Sequence, residues 1–303
     1  MAHHAEVNRE PHTANAASLA TSEKSSGESV SNSNESASGP AARTALRAPG
    51  STAGSVPEIS VVVPFWNEEL NVVRLADEVF KAFQNESRTL ELVLVDDASS
   101  DGTWQQMLQA QQSDTRVRPL RLVCHSGQSA ALWAGFTASR GSIIATLDGD
   151  LQNDPADLPR MLKELTTYDL VCGLRIKRMD NRVRRISTAV ARWARKTALG
   201  VDFRDSGCNL RVFKRTVLEK LFPFDGLHRF MPIIAHYAGA QVIETPVQHH
   251  ARTAGKSKYG VWNRVGRGIW DLIGVAWYRK RQLKNLAAIE APAPKPAASE
   301  NRP

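Results

Sequence analysis

Two carboxylates separated by one glycine follow a short apolar run, because Asp148 and Asp150 flank Gly149 directly after residues 143–147. Glycine permits backbone angles that other residues resist, so both side chains can turn toward one centre. Hard divalent cations take oxygen ligands, and Mg²⁺ is usually shared between one or two carboxylates and substrate phosphates. Gln152 adds a neutral carbonyl oxygen to the same segment. The spacing predicts a site for Mg²⁺ or Mn²⁺ and a diphosphate, with a solvated acidic turn as the alternative.

A second acidic loop, with Asp96, Asp97 and Asp101, follows the apolar residues 92–95. Three carboxylates on one short loop repel one another unless a positive or hydrogen-bonding group lies among them. A turn accounts for Asp101 followed by Gly102, but it does not account for two carboxylates at a strand end. Carboxylates there can accept hydrogen bonds from a ribose hydroxyl or a base N–H. We therefore predict that this loop contacts a ligand.

The elements that must position these loops alternate between short apolar strands and helices. Strands are predicted at residues 59–63, 92–95, 120–123, 143–147 and 170–172, and helices at 68–84, 103–112, 129–139 and 158–165. This alternation indicates an α/β fold with a mostly parallel sheet that is covered by helices on both faces. Ligands of such sheets bind beyond the carboxyl ends of the strands, where both acidic loops are expected.

Positive charge is concentrated in the second half of the chain. Lys and Arg number 39 against 31 for Asp and Glu, and residues 175–196 contain nine basic residues and one acid. Such a stretch indicates an anionic partner: a phosphate ligand, a nucleic acid or an anionic membrane surface. Arginine suits bidentate contacts with phosphate oxygens. Arg175 at a strand end and Arg184, Arg185 and Ser187 at a helix start are therefore predicted phosphate contacts.

Composition also suggests how the chain is divided. Residues 1–57 and 286–303 are poor in large apolar residues and are predicted to be disordered tails around a globular domain over 58–260. The three isolated cysteines indicate neither a disulfide framework nor a zinc site. No stretch reaches the roughly 20 apolar residues that a spanning helix needs.

Residues 261–285 are predicted to form an amphipathic basic helix. Aromatic and aliphatic residues recur there near helical spacing, and Arg279, Lys280 and Arg281 follow them. Tryptophan with flanking basic residues is typical of a helix that lies in the membrane interface, and a helix packed on the core is the alternative.

The strand ends together resemble the family 2 glycosyltransferases, which have the GT-A fold. The matching motifs are residues 61–64 with 67–69, residues 95–97 with Ser99 and 101–103, and residues 148–155. Four later motifs, at 173–175, 184–187, 205–211 and 252–259, resemble the polyprenyl-phosphate branch. That branch includes dolichol-phosphate mannosyltransferases and undecaprenyl-phosphate aminoarabinose and glucose transferases. The resemblance covers about residues 58–280.

The resemblance implies an inverting transfer of a sugar from a nucleotide diphosphate to a polyprenyl (dolichyl or undecaprenyl) phosphate, with Mg²⁺ or Mn²⁺ as cofactor. The implied metal ligands are Asp148, Asp150 and Gln152. The implied catalytic residues are Asp148, Asp150, Arg175, Arg185 and Ser187. The implied nucleotide-sugar contacts are Pro64, Trp66, Glu68, Asp96, Asp97, Gly149, Arg252 and Lys258. The implied contacts of the acceptor phosphate are Arg175, Arg184, Arg185 and Ser187.

Two other functions are compatible with the sequence. A transferase acting on a sugar hydroxyl would need a carboxylate base, for which Asp205 is the candidate. A noncatalytic binder of lipid phosphate or nucleic acid would use the basic stretch, but the acidic motifs are intact, so no nucleic-acid partner is expected. The leading expectation is a cytoplasmic protein at the inner face of the cell membrane, without a transmembrane helix. The sequence fixes neither the sugar, the donor base nor the oligomeric state.

Overall fold

The computed structural model describes residues 56–175, 192–250 and 261–282. In these parts of the chain, seven strands form one sheet in the order β3-β2-β1-β4-β6-β5-β7. The strands are β1 (Ile59–Phe65), β2 (Leu90–Asp96), β3 (Val117–Arg121), β4 (Ile143–Thr146), β5 (Leu170–Arg175), β6 (Arg211–Lys214) and β7 (Val242–Val247). The helices are α1 (Val72–Ala82), α2 (Thr103–Ser113), α3 (Gln128–Ala138), α4 (Leu158–Glu164), α5 (192–199), α6 (Arg215–Leu218), α7 (Leu227–Tyr237) and α8 (Val261–Arg281).

The sheet is mixed and mostly parallel, which confirms the predicted fold class. β1 pairs in parallel with β2 and β4, β2 with β3, and β5 with β7. β6 runs antiparallel between β4 and β5. Sequence analysis missed β6, because only Val212 and Phe213 lie between its two basic ends, and it missed β7, which is only partly buried.

The predicted starts of two elements are wrong by three residues or more. The third strand lies at Val117–Arg121 instead of 120–123, and Val123 is fully exposed. β3 is an edge strand, so only its first residue is buried and its apolar residues do not mark its position. The first helix begins at Val72 instead of residue 68, because residues 66–71 form the turn that leaves β1.

Helices cover both faces of the sheet, and the alternation of side chains along β1 shows how. Val61 and Val63 pack in one core cluster with α1, α2 and α4, whereas Val62 packs in a second cluster with α3 and α7. Burying a valine side chain fully contributes ~1.5–3 kcal/mol. α3 approaches β1 so closely that a Cβ at Gly135 would lie 2.3 Å from Val62 Cγ1. The centre of the sheet is therefore buried on both sides.

The buried carboxylate of Glu91 links neighbouring strands at their amino ends. Its Oε1 accepts hydrogen bonds from Ser60 Oγ (2.6 Å) and from the main-chain N–H of Arg140 (2.6 Å). Its Oε2 accepts from Arg118 Nη1 (2.6 Å) and Arg140 Nε (2.9 Å). The Glu91 side chain is only 2% exposed, so this cluster connects β1, β2, β3 and the loop before β4 at the amino ends of the strands.

α8 packs against α7 with one face and exposes the other. Val275 is buried in the second core cluster, and Arg229 Nη2 of α7 lies 3.1 Å from Asp271 Oδ2. The large apolar side chains on the outer face are exposed: Ile269, Trp270, Ile273 and Trp277. In the described segments, no helix combines the length and the apolar character required to cross a bilayer.

Candidate functional site

β1, β2 and β4 end at the same edge of the sheet, and a residue with left-handed backbone follows each of them. Asn67, Ala98 and Leu151 have φ values of 52°, 53° and 58°. Asparagine adopts this region readily, but alanine and leucine do so at a cost of roughly 1–2 kcal/mol each. Backbone strain of this kind is concentrated where a site must be shaped. The three turns bring the loops back across the strand ends.

Asp148 receives two amide hydrogen bonds beyond the end of β4. Its Oδ1 accepts from Gln128 Nε2 (2.7 Å) and from Asn209 Nδ2 (2.9 Å). Burial and the neighbouring charge of Asp150 raise the pKa of Asp148 to about 6, although the Asn209 hydrogen bond, Arg175 and Arg211 oppose the rise. A cation at this position would stabilise the ionised form against both causes.

Asp150 and Gln152 lie on a turn that presses against the end of β1. A Cβ at Gly149 would lie 2.7 Å from Phe65 Cδ1 and 2.8 Å from the Pro64 carbonyl oxygen, so only glycine fits there. The main-chain N–H of Gln152 donates to Asp150 Oδ1 at 3.2 Å. Gly149 thus lets the turn pack directly against the end of β1.

The other side of this turn is fixed to the chain that follows β7. The main-chain N–H of His250 donates to the Gln152 carbonyl (2.8 Å), and Asn153 pairs with His249 in an isolated antiparallel bridge. Both histidines therefore lie beside the segment that carries the predicted metal ligands.

The donor groups at this edge fit a hard divalent cation that shares its ligands with a substrate. The predicted ligands are two carboxylates and one amide oxygen, and the described residues contain no cluster of three or more His, Cys, Asp or Glu suited to a metal. Mg²⁺ is typically held by one or two carboxylates, with substrate phosphates and water completing its ligands. The site therefore fits Mg²⁺ or Mn²⁺ bound together with a diphosphate.

Asp96 is fully buried at the end of β2. Its Oδ1 accepts from the main-chain N–H of Ser99 (2.9 Å), and its Oδ2 lies 3.1 Å from Arg121 Nε. That second oxygen has no aligned hydrogen bond among the described residues. The contact with a base N–H or a ribose hydroxyl that the resemblance implies for Asp96 stays a prediction.

Asp97 shapes the loop that leads into α3. Its Oδ1 accepts from the main-chain N–H of Ser126 (2.7 Å), and its Oδ2 accepts from that of Gly127 (2.8 Å). His125 Nδ1 lies 2.9 Å from the same Oδ2, and the His125 ring stacks on Trp66 at 4.1 Å between centroids. Asp97 thus holds the partner of the predicted nucleotide contact Trp66.

The turn after β1 is tied to the turn after β2. The main-chain N–H of Asn67 donates to Ser99 Oγ (2.9 Å), and Asn67 Oδ1 accepts from the main-chain N–H of Ser100 (2.8 Å). Glu68 Oε2 accepts from Asn71 Nδ2 (2.7 Å) at the start of α1. Pro64 lies in β1 itself, where its carbonyl faces Gly149. The predicted nucleotide contacts Pro64 and Glu68 therefore lie in one hydrogen-bonded corner of the sheet edge.

Arg175 ends β5 in a bidentate ion pair. Its Nε and Nη2 each donate to a carboxylate oxygen of Asp205 at 2.7 Å, and the Asp205 side chain is 6% exposed. The main-chain N–H groups of Arg204 and Asp205 donate in turn to Glu244 of β7. Sequence analysis treated Arg175 and Asp205 as separate candidates, and the structure joins them.

Five predicted contacts lie outside the described residues: Arg184, Arg185, Ser187, Arg252 and Lys258. Sequence analysis missed Gln128 and Asn209 as neighbours of Asp148. An amide side chain carries no charge pattern, and these two come from positions 20 residues before and 61 residues after their partner.

The chain matches the model of the family described as "Glycosyl transferase family 2" over residues 60–222. It is 37% identical over 236 residues to a dodecaprenyl-phosphate galacturonate synthase of Rhizobium johnstonii, covering 75% of this chain and 69% of the relative. It is 32% identical over 217 residues to an undecaprenyl-phosphate 4-deoxy-4-formamido-L-arabinose transferase of Aeromonas hydrophila, covering 71% and 66%. The chain thus spans about two thirds of the length of these relatives.

Solved structures show the same fold. Glucosyl-3-phosphoglycerate synthase from Mycobacterium tuberculosis, in complex with Mn²⁺ and UDP-glucose, matches with a TM-score of 0.56 and 20% identity over 77% of this chain and 84% of that one. The complex of the same enzyme with Mg²⁺ and UDP matches with a TM-score of 0.55 and 19% identity over the same shares. The predicted GT-A fold is confirmed.

Proposed function

The chain belongs to glycosyl transferase family 2, and we propose that it transfers a sugar from a nucleotide diphosphate to a polyprenyl phosphate, with inversion. The names of its relatives support the acceptor class. The observation that carries the proposal is the pair of Asp148 and Asp150 at the sheet edge that also holds Asp96. Donor diphosphate and nucleotide are thereby given separate contacts at one edge.

The leaving group needs stabilisation of negative charge. A divalent cation bound there would neutralise the charge that develops on the departing diphosphate. Asp148, Asp150 and the side chain of Gln152 would hold it, and Gly149 keeps these groups against the end of β1. Asp96 would accept a hydrogen bond from the base or ribose and so orient the donor.

The acceptor side favours an anion over a hydroxyl group. A sugar hydroxyl needs a general base within hydrogen-bond reach, whereas a lipid phosphate is already ionised near neutral pH. Asp205, the candidate base, accepts from Arg175 at both oxygens. That pair uses two of the five N–H donors of the guanidinium. We propose that Asp205 orients Arg175 toward the acceptor phosphate. Arg184, Arg185 and Ser187 would contact the same phosphate.

Replacing Asp205 by Asn tests this division of roles. We expect the rate with polyprenyl phosphate to fall less than about tenfold, because an ionised phosphate needs no general base. If Asp205 were a general base, its loss would cost about 10²–10⁴-fold. Initial rates of lipid-linked sugar formation measure the effect. Asp202→Asn is the matched control, because Asp202 lies on the same loop as Asp205 but pairs with Arg192 and Lys196 of α5. A loss above 100-fold, restricted to Asp205→Asn, would support the hydroxyl acceptor instead.

The reaction itself is tested with purified protein and either Mg²⁺ or Mn²⁺. A panel of UDP- and GDP-sugars is offered with undecaprenyl phosphate, dolichyl phosphate or a glycolipid that has only hydroxyl acceptors. The expected product is a sugar-phospholipid that forms only with the phosphate acceptors. Transfer to the glycolipid alone would contradict the proposal.

The outer face of α8 is the proposed contact with an anionic membrane surface. Trp270 is 75% and Trp277 64% exposed, and Ile269 and Ile273 continue the same face. Basic residues form the last turn of the helix: Arg279, Lys280 and Arg281. Apolar groups can enter the headgroup boundary while basic groups meet anionic lipid. Trp193 of α5 is also exposed.

The double substitution of Trp270 and Trp277 by Ser should weaken binding to anionic liposomes at least about tenfold. Burial of one large apolar side chain contributes ~1.5–3 kcal/mol, and both side chains are exposed in the free protein. Flotation with anionic and with zwitterionic vesicles measures it. Leu70→Ser, at an equally exposed leucine before α1, is the control. Equal flotation of wild type and double variant would count against this face.

A further inference from the structure

The two amides that reach Asp148 converge on one oxygen atom. Both Gln128 Nε2 and Asn209 Nδ2 donate to Oδ1. From the described part of the chain, Oδ2 receives no hydrogen bond. Two donors on one oxygen set the rotation of a carboxylate about its bond to Cβ. The other oxygen is then presented for a cation.

Each amide is held by a different part of the fold. Gln128 opens α3, whose entry is fixed by the hydrogen bond from Gly127 to Asp97 (2.8 Å) and by the Ser129 Oγ–His228 Nδ1 hydrogen bond (2.7 Å). Asn209 precedes β6, and its carbonyl accepts a short hydrogen bond from Thr146 Oγ1 of β4. The two contacts with Asp148 are therefore built independently, which argues against a chance approach of one mobile side chain.

Asn209 has an acceptor without a partner. Its residue is 4% exposed, and its Oδ1 is buried with no hydrogen bond among the described residues. The orientation of the amide follows from chemistry, because a flipped amide would place its oxygen against the Asp148 carboxylate. A buried acceptor left in this state destabilises the folded protein. Such an atom needs an N–H or O–H donor, and none is described beside it.

We infer that Gln128 and Asn209 position Asp148 for the cation and that Asn209 Oδ1 accepts a hydrogen bond from a hydroxyl group of the bound ligand. That O–H belongs either to a cation-bound water or to the donor sugar, and both have the same chemistry. The inference rests on the proposed function for the identity of the ligand. Gln128 and Asn209 are thereby added to the site, because the proposed function gave neither of them a role.

Leucine at either position tests the inference with a matched pair of near-isosteric variants. Gln128→Leu removes one donation to Asp148 and leaves Asn209 Oδ1 in place. Asn209→Leu removes one donation and the acceptor. We expect both to weaken Mn²⁺ binding about 10–100-fold, as is found for residues that orient metal ligands. Asn209→Leu should lose a further 2- to 10-fold or so when the hydroxyl group is present.

Mn²⁺ affinity is measured by electron paramagnetic resonance with the ion alone, with UDP or GDP, and with the corresponding nucleotide-glucose. An extra loss in Asn209→Leu without the sugar assigns the O–H to cation-bound water. An extra loss that appears only with nucleotide-glucose assigns it to the sugar. Equal affinities of the two variants under all three conditions would overturn the role of Oδ1. Wild-type Mn²⁺ affinity in both variants would overturn the positioning role.

Folding and the proposed function are separated from this outcome. Thermal unfolding without metal checks that each variant is folded, and Asn209→Ser repeats the comparison if leucine does not fit. No acceptor lipid is present, so a failure of the lipid-phosphate proposal leaves the measurement intact. A wild-type protein that binds no Mn²⁺ would overturn the inference together with the metal part of the proposed function.

Discussion

Replacing Asp150 by Asn should reduce sugar transfer by at least about 10²–10³-fold and remove detectable Mn²⁺ binding. The substitution keeps the size of the side chain and removes its charge. Loss of one group that stabilises developing charge typically costs this much in rate. Asp150 also raises the pKa of Asp148 by repulsion. Its replacement by Asn removes one of the two negative charges that would attract the cation. Initial rates and Mn²⁺ titrations measure the two effects.

The same change also removes a repulsion between neighbouring carboxylates. Asp154→Asn is the control on the same segment, since Asp154 accepts from the Ala156 main chain and faces His250 instead of Asp148. Lipid-linked sugar formed at the wild-type rate by Asp150→Asn would remove the basis of the metal assignment.

Replacing Glu91 by Ala should cost about 1–3 kcal/mol of the free energy of unfolding, as is typical when buried hydrogen-bond donors lose their acceptor. Arg118 and Arg140 lose their shared carboxylate, and Ser60 loses its acceptor. Denaturant unfolding measures the change. Glu78→Ala is the control, because its pair with Arg74 is largely exposed and contributes under about 0.5 kcal/mol. A cost for Glu91→Ala no larger than that of the control would contradict the assigned role.

The Glu91 contribution should depend on pH. Burial alone would raise the pKa of Glu91, but the hydrogen bonds from Ser60, Arg140 and Arg118 outweigh it and hold the pKa below the usual 4.5. Its stabilising effect is therefore fully present above about pH 4.5 and is lost as the pH falls through the lowered pKa. The difference in stability between wild type and Glu91→Ala should shrink in that acid range. Transfer activity of the folded variant should persist, because Glu91 lies at the far end of the strands.

The centre of the fold could be predicted from the sequence because β1 and β2 are buried on both faces and so appear as unbroken apolar runs. The same criterion failed at the sheet margins, where β3 and β7 are only partly buried and their apolar residues no longer record their bounds. β6 was beyond reach for a different reason. Its position between β4 and β5 is fixed by pairing with residues far away in sequence.

For the site, the prediction that Asp96, Asp148 and Asp150 follow or end strands at one edge of the sheet is confirmed. The sequence did not show which of the predicted site residues form hydrogen bonds or ion pairs within the protein. Both carboxylate oxygens of Asp97 accept hydrogen bonds from main-chain N–H groups, and Arg175 forms an ion pair with Asp205, 30 residues further along the chain. Such contacts depend on how loops converge in space, and no local pattern encodes them.

The close approach of α3 to β1 has a consequence for how this site could be retuned. Gly135 lies seven residues, or about two turns, beyond Gln128 on the same helix, roughly 10 Å along the axis. Its missing methyl group sets the distance between helix and sheet. A single added carbon there would push α3 from the sheet, and α3 carries the Gln128 amide that donates to Asp148. The geometry of the predicted metal site thus depends on packing in the core as well as on the groups that line the site.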